Sequence, residues 1–216
     1  MKEENEKDVK GELLREAISW AKTIIFALIF AWVFTNFVIV NAKVPTGSME
    51  DTIRIDDRII AFRLSYLFSE PKRYDVVVFQ SHTEAAKLYV KRIIGLPGDE
   101  LTIIDGRVYV KEKDATEAFR LRDEFVKGEL FGNHPGPNSR NSYVTVPPDG
   151  SPPFYTVPDG HYFVLGDNRN NSLDSRIWGK EDTLRTFVSR DAIRGRGLFR
   201  YWDGVKKRPG IHSLTK

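Results

Sequence analysis

The chain has 216 residues, 41% of them hydrophobic and 29% charged, enough for one domain with a sizeable core beside a membrane anchor. Its formal net charge of +3 suits anionic lipid, but no clustered basic run is present, so nucleic acid is not an expected partner. Cysteine is absent, which excludes a disulfide scaffold and thiolate zinc sites without excluding an oxidising compartment.

Residues 1–22 carry charges of both signs and predict an amphipathic helix with Leu13, Leu14, Ala17 and Ile18 on one side. No function is assigned to this segment, which is expected to be cytoplasmic. Residues 23–42 contain no charge, and about 20 helical residues at 1.5 Å each cross the ~30 Å hydrocarbon core. The run is apolar on all sides rather than striped, which predicts a transmembrane helix, with Trp20 near the interface. Asn41-Ala42-Lys43 is a poor small-residue cleavage site, so an uncleaved anchor is expected. Lys7, Lys10, Arg15 and Lys22 precede it, while Lys43, Arg54 and Arg58 follow closely. This thin bias places residues 43–216 on the extracytoplasmic side of the cell (inner or cytoplasmic) membrane.

Beyond the anchor the texture turns to β. Runs at 58–64, 75–80, 88–94 and 162–165 are rich in Val, Ile, Phe and Tyr and predict strands. Residues 101–110 predict a hairpin turning at Asp105-Gly106. Residues 111–130 are expected to be partly helical. Residues 133–158 hold seven of the 11 prolines and predict an irregular, exposed stretch, so 111–158 reads as a variable insertion. The expected fold class is mainly β: a barrel-like or coiled-sheet domain behind one N-terminal transmembrane helix. Phe62, Leu64, Tyr66, Leu67 and Phe68 form an apolar cluster near the anchor, fit either for lipid or for the core.

Ser48 lies in Pro45-Thr46-Gly47-Ser48-Met49, just past the anchor. A serine hydroxyl needs a base within hydrogen-bond reach to act as a nucleophile. Of the four histidines, His82, His134 and His212 sit in polar or terminal sequence, and His161 has a partner only if Asp167 supplies it. A lysine is the other option, provided that burial strips its charge. In Leu88-Tyr-Val-Lys-Arg-Ile-Ile94 the period of two puts Tyr89, Lys91 and Ile93 on one face. Lys91 is thus either a buried base or an edge-strand lysine turned to water.

Three blocks break the tie: Pro45–Met49, Tyr89-Val-Lys-Arg-Ile-Ile-Gly-Leu-Pro-Gly-Asp99 and Gly166-Asp-Asn-Arg-Asn-Asn-Ser-Leu-Asp-Ser-Arg176. In this order, after an anchor, they resemble type I signal peptidase, the membrane-bound bacterial leader peptidases that work by a Ser-Lys dyad. Asp57-Arg58-Ile-Ile60, Tyr74–Phe79, Gly195–Gly197 and Phe199–Trp202 add to the likeness. The resemblance implies Ser48 as nucleophile and Lys91 as general base. It implies an oxyanion hole from Thr46 and the Ser48 backbone N–H, a Ser172 hydroxyl bonded to Lys91, and an Asp174–Arg176 pair bracing the loop. Asn170, Asp56 and Lys180-Glu-Asp-Thr183 depart from the family pattern.

A tethered protease of this kind meets signal peptides at the bilayer surface, so signal peptides of secreted preproteins and membrane lipid are the expected partners. Such peptides end in a small-x-small pattern. By chain proximity Val44, Met49, Ile53 and Tyr89 are the expected walls of a pocket for small side chains. No metal or organic cofactor is implied. Two alternatives are a membrane-anchored, non-catalytic β domain that binds export partners, and a Ser-Lys self-cleaving regulator on a related fold. A penicillin-binding Ser-x-x-Lys reading fails, because Met49-Glu50-Asp51 follow Ser48.

Overall fold

The computed structural model describes residues 2–50, 52–81, 87–104, 107–122, 124, 152–179 and 183–215, with the backbone alone for residues 2–10. The chain divides into two compact units, Met1–Ile39 and Val40–Lys216.

The first unit is the helix α1 (Lys2–Val33) followed by a π-turn at Phe34–Val38. Gly11–Val38 is long and apolar enough to cross a membrane, and its large apolar side chains from Ile24 to Trp32 are exposed. Two polar side chains inside the run are satisfied locally. Thr35 Oγ1 donates to Ala31 O at 2.8 Å and Asn36 Nδ2 donates to Trp32 O at 2.8 Å, as an apolar solvent would demand. The predicted helix over 23–42 is therefore divided. Its last residues belong to strand β1 (Ile39–Lys43), because Asn41 and Lys43 break the apolar run into alternation.

The second unit is mainly β. Among the described residues its larger sheet has eight strands in the order β1, β2 (Arg58–Phe62), β11 (Ile193–Asp203), β3 (Val76–Gln80), β4 (Leu88–Gly95), β9 (His161–Leu165), β10 (Val188–Ser189), with β12 (Arg208–Ser213) also paired to β11. The path ends at β1 and β10, so the sheet is open and not a closed barrel. A smaller sheet runs β7 (Phe119–Arg120), β6 (Arg107–Lys111), β5 (Glu100–Ile104), β8 (Phe154–Thr156).

The central strands read as continuous apolar runs because both faces are covered. Val76 and Val78 of β3 pack with Met49, Ile53 and Ile59 on one face, while Val77 and Phe79 pack with Ile93, Tyr162 and Trp178 on the other. Phe163 and Leu165 of β9 join Leu101, Ile103, Val108 and Val110 of the small sheet in a third cluster.

The predicted strands at 58–64, 75–80, 88–94 and 162–165 correspond to β2, β3, β4 and β9. The β5–β6 register, from Glu100 opposite Lys111 to Ile104 opposite Arg107, is that of a two-residue hairpin. The turn itself, Asp105-Gly106, lies outside the described residues. The partly helical expectation for 111–130 is not met among its described residues, since Phe119–Arg120 pair with the open edge of β6. Residues 125–151 lie outside the described residues, but Phe154–Thr156 pair with β5 rather than remaining irregular. The cluster at 62–68 is split: Tyr66 is buried and donates to Asp75 Oδ2 at 2.9 Å, while Leu67 and Phe68 are exposed.

Candidate active site

Ser48 sits in a 3₁₀ turn, Gly47–Met49, between β1 and β2. Local bonding and burial hold the turn. Ile53 N donates to Met49 O at 2.8 Å, and Val44 N donates to Asp57 O at 2.9 Å. Met49 and Ile53 are fully buried in the apolar cluster beneath it. Asp57 is also fully buried, and its carboxylate accepts from Arg54 N, Gly204 N and Arg200 Nη1 at 2.8–2.9 Å. Asp56, where the family pattern has glycine, adopts φ 64°, the left-handed conformation that aspartate tolerates better than most residues.

Lys91 comes from β4 at the point where that strand loses a neighbour. β9 pairs with β4 from Arg92 to Gly95, whereas among the described residues the registered partners of Leu88 to Lys91 lie in β3. Alternation then separates two cations: Lys91 Nζ lies 2.7 Å from Ser48 Oγ, and Arg92 reaches Asp167 with bonds of 2.8 and 2.7 Å. Lys91 is buried, 5% exposed, so it is not an edge lysine turned to water. Burial pushes its pKa down to about 8; the carboxylates of Asp174 and Asp167 oppose the fall and Arg176 adds to it. The cause is desolvation of the ammonium, and a neutral amine at 2.7 Å can accept the Ser48 proton.

The loop from Gly166 to Arg176 meets the serine turn, where Asn168 N donates to Ser48 O at 3.0 Å. Asp174 and Arg176 are both buried and form a bidentate ion pair, Nε–Oδ1 at 2.8 Å and Nη2–Oδ2 at 2.9 Å. Asp174 also caps the short helix α2 (Ser175–Trp178) through Arg176 N and accepts from Gly166 N at 3.1 Å. Burial alone would raise the Asp174 pKa, but the Arg176 charge and these hydrogen bonds outweigh it and hold the carboxyl below its ordinary value.

Ser172 departs from expectation. Its hydroxyl is fully buried and makes no hydrogen bond to Lys91. The loop turns it over Gly166, where it interacts with the Asp174 carboxylate without meeting hydrogen-bond geometry. His161 does not join Ser48 through Asp167 either. Its Nδ1 lies 2.9 Å from Asp159 O, and Asp167 is committed to Arg92 and to Thr52, 2.6 Å away. Thr46 is exposed, with Oγ1 3.5 Å from Ser48 Oγ.

A groove of about 870 Å³ runs past the pair. Val44, Met49 and Tyr89 line it, whereas Ile53 lies in the core and does not. Ala42, Leu88, Val90, Asn171 and Leu173 line it as well. Residues 87–91 contribute consecutively rather than alternately, which means that β4 presents its edge to the groove. Chain proximity to Ser48 alone had no way to find Asn171 and Leu173, which arrive through the loop from Gly166 to Arg176.

Residues 17–202 match the family described as signal peptidase, peptidase S26. The chain belongs to that family. A probable signal peptidase I-2 from Synechocystis sp. is 37% identical over 187 residues, covering 84% of this chain and 71% of that protein. Signal peptidase I of Leptolyngbya laminosa is 33% identical, covering 84% and 77%. Signal peptidase I of Bacillus amyloliquefaciens is 34% identical, covering 82% and 84%. The chain is thus a peptidase of the signal peptidase I type, and the buried cluster described above lies within its matched residues.

In this peptidase Gly166 admits no side chain. A Cβ there would lie 2.2 Å from Ser172 Oγ and 2.4 Å from the Ser48 carbonyl oxygen. Because the second contact is backbone of the serine turn, Gly166→Ala is expected to displace Ser48 from Lys91. The expected loss is about 100-fold or more in kcat, since ångström-scale misplacement costs that much, with about 1–3 kcal/mol of stability. Peptidase assays with a thermal-unfolding scan check both; near-normal turnover would show that the turn accommodates the methyl group.

Proposed function

We propose that this chain is a membrane-bound serine endopeptidase that removes signal peptides from exported preproteins after a small-x-small motif, through an acyl-enzyme formed by Ser48 and Lys91. The observation that carries the reading is the 2.7 Å approach of Lys91 Nζ to Ser48 Oγ, with the lysine buried and its pKa near 8. A substrate strand enters between the edges of β1 and β4 by β-augmentation. Neutral Lys91 takes the Ser48 proton as Oγ attacks the scissile carbonyl. The oxyanion is met by the Ser48 N–H and by Thr46 Oγ1. Lys91 then hands the proton to the leaving amine, and water activated by the same lysine releases the signal peptide from Ser48.

The apolar walls from Val44, Met49 and Tyr89 favour small side chains beside the scissile bond. Helix α1, apolar and exposed from Ile24 to Trp32, serves as the anchor in the cytoplasmic membrane with the β domain outside. Exposed Leu67 and Phe68 fit lipid contact. A non-catalytic binding domain would have no use for a desolvated lysine against a serine, and a self-cleaving regulator would have none for an anchor.

The test is cleavage of a preprotein in detergent micelles with the mature product sequenced. A new N-terminus after a small-x-small motif is expected, with turnover lost in Ser48→Ala by at least ~10⁴-fold. Cleavage elsewhere, or an active Ser48→Ala protein, overturns the proposal.

A further inference from the structure

Asn168 does not line the groove, yet it makes two hydrogen bonds to the nucleophile turn. Its backbone N donates to Ser48 O at 3.0 Å, and its side-chain Nδ2 donates to Gly47 O at 3.0 Å. A carbonyl can only accept, so the amide nitrogen must be the atom that faces Gly47. Among the described residues, Gly47 O also accepts from Glu50 N at 3.3 Å, a longer bond within the turn itself.

In a trans peptide the C=O and the N–H point in opposite directions. The Gly47 carbonyl and the Ser48 N–H belong to one peptide plane. Holding the carbonyl against Asn168 therefore turns the Ser48 N–H to the other side. Gly47 and Asn168 are both buried and neither lines the groove, whereas Thr46, Ser48 and Met49 do. Glycine at 47 leaves this peptide free to rotate, so a lock from outside the turn has something to prevent.

We infer that Asn168 is a positioning residue that locks the Gly47–Ser48 peptide against flipping and so keeps the Ser48 N–H aimed at the oxyanion. This rests on the serine-peptidase reading above and adds to it the element that holds the oxyanion donor in place. With the peptide flipped, a carbonyl oxygen instead of an N–H would face the developing negative charge. Losing one such donor typically costs ~10²–10³ in kcat.

The test compares Asn168→Ala and Asn168→Asp with the parent enzyme in micelles, using a signal-peptide substrate, its cleavage-product peptide and a peptide aldehyde ending at the same residue. Asn168→Asp keeps the side-chain shape and serves where Asn168→Ala unfolds. Its carboxylate also repels the Gly47 carbonyl and drives the flip. The expected result is a kcat lower by about 100-fold. KM and product-peptide affinity should stay within about threefold, since ground-state binding does not use the donor. Aldehyde affinity should fall by the same factor as kcat/KM, because its hemiacetal oxyanion needs the donor. Turnover near the parent value, or equal losses for aldehyde and product peptide, overturns the inference. Lys91→Met in the same assay separates the two levels. If it stays active, the dyad reading has failed. If it is dead while both Asn168 variants turn over normally, only the peptide lock has failed.

Discussion

Lys91→Met is expected to abolish peptide cleavage, by at least ~10⁴-fold in kcat/KM, while leaving the protein as stable as the parent or more so. The two halves of this expectation share one cause. Lys91 is 5% exposed, and burial pushes its pKa down to about 8, so near neutral pH the fold carries a partly desolvated ammonium. Methionine has a similar unbranched stem and no charge, which removes that cost together with the proposed base. A merely structural lysine would show the reverse, a damaged fold with residual activity.

The sign of the pH dependence follows from the same shift. The folded pKa lies below the ordinary 10.5, so between about 8 and 10.5 the unfolded chain binds more protons than the folded one. The Lys91 contribution to stability therefore rises with pH across that window. Below pH 8 the folded state bears the whole cost, on the order of 3 kcal/mol. The parent-minus-variant difference in stability should change by this much between pH 7 and pH 11. Activity of the parent should fall about tenfold per unit below pH 8, as Lys91 protonates. A parent pH–rate profile flat from pH 6 to 9, or an active Lys91→Met enzyme, excludes Lys91 as the base.

Asp174→Ala should cost about 3–5 kcal/mol of stability and most of the activity with it. Asp174 is fully buried against Arg176, which is itself 4% exposed. Removing the carboxylate strands a guanidinium that also donates to Arg169 O at 2.9 Å, and frees Gly166 N. The loop that presses Gly166, Asp167 and Asn168 onto the serine turn would then lose its brace. Asp174→Ala with Arg176→Met should regain much of the loss, because the cost lies in the uncompensated charge rather than in the missing bond. Denaturant or thermal unfolding in detergent measures both. A single-variant loss under 1 kcal/mol, or a double variant no better than the single, would mean that the pair contributes little. Since the Asp174 carboxyl sits below its ordinary 3.8, its contribution is complete above that value and is lost as pH falls through the lower folded one.

Much of the fold was legible from local pattern. Val76–Gln80 and His161–Leu165 are apolar runs bounded by turn residues, and they became central strands. β11 was missed as a strand, although it pairs with β2, β3 and β12. Its sequence, Ile-Arg-Gly-Arg-Gly-Leu-Phe-Arg-Tyr-Trp-Asp, carries arginines and glycines that weaken any strand signal. Those glycines are needed for close approach: a Cβ at Gly195 would lie 2.8 Å from Phe62 O. The register shifts along β11 likewise depend on three partners distant in sequence.

The amino-acid sequence by itself determined the family, the candidate anchor and the pairing of Ser48 with Lys91 as candidates, because these rest on contiguous blocks and on periodicity. Period two said that Lys91 shares a face with Tyr89 and Ile93. It had no means of saying whether that face was covered. The tertiary structure decided that question: the serine turn and the loop from Gly166 to Arg176 arrive from 43 residues before and more than 70 after, and burial there weakens the hydration of the ammonium and lowers its pKa. The same folding set the Ser172 hydroxyl against Gly166, sent Ile53 into the core, and brought Asn168 against the Gly47 carbonyl. Desolvation and the orientation of a single peptide are properties of what packs around a residue, and neither is written in its neighbours along the chain.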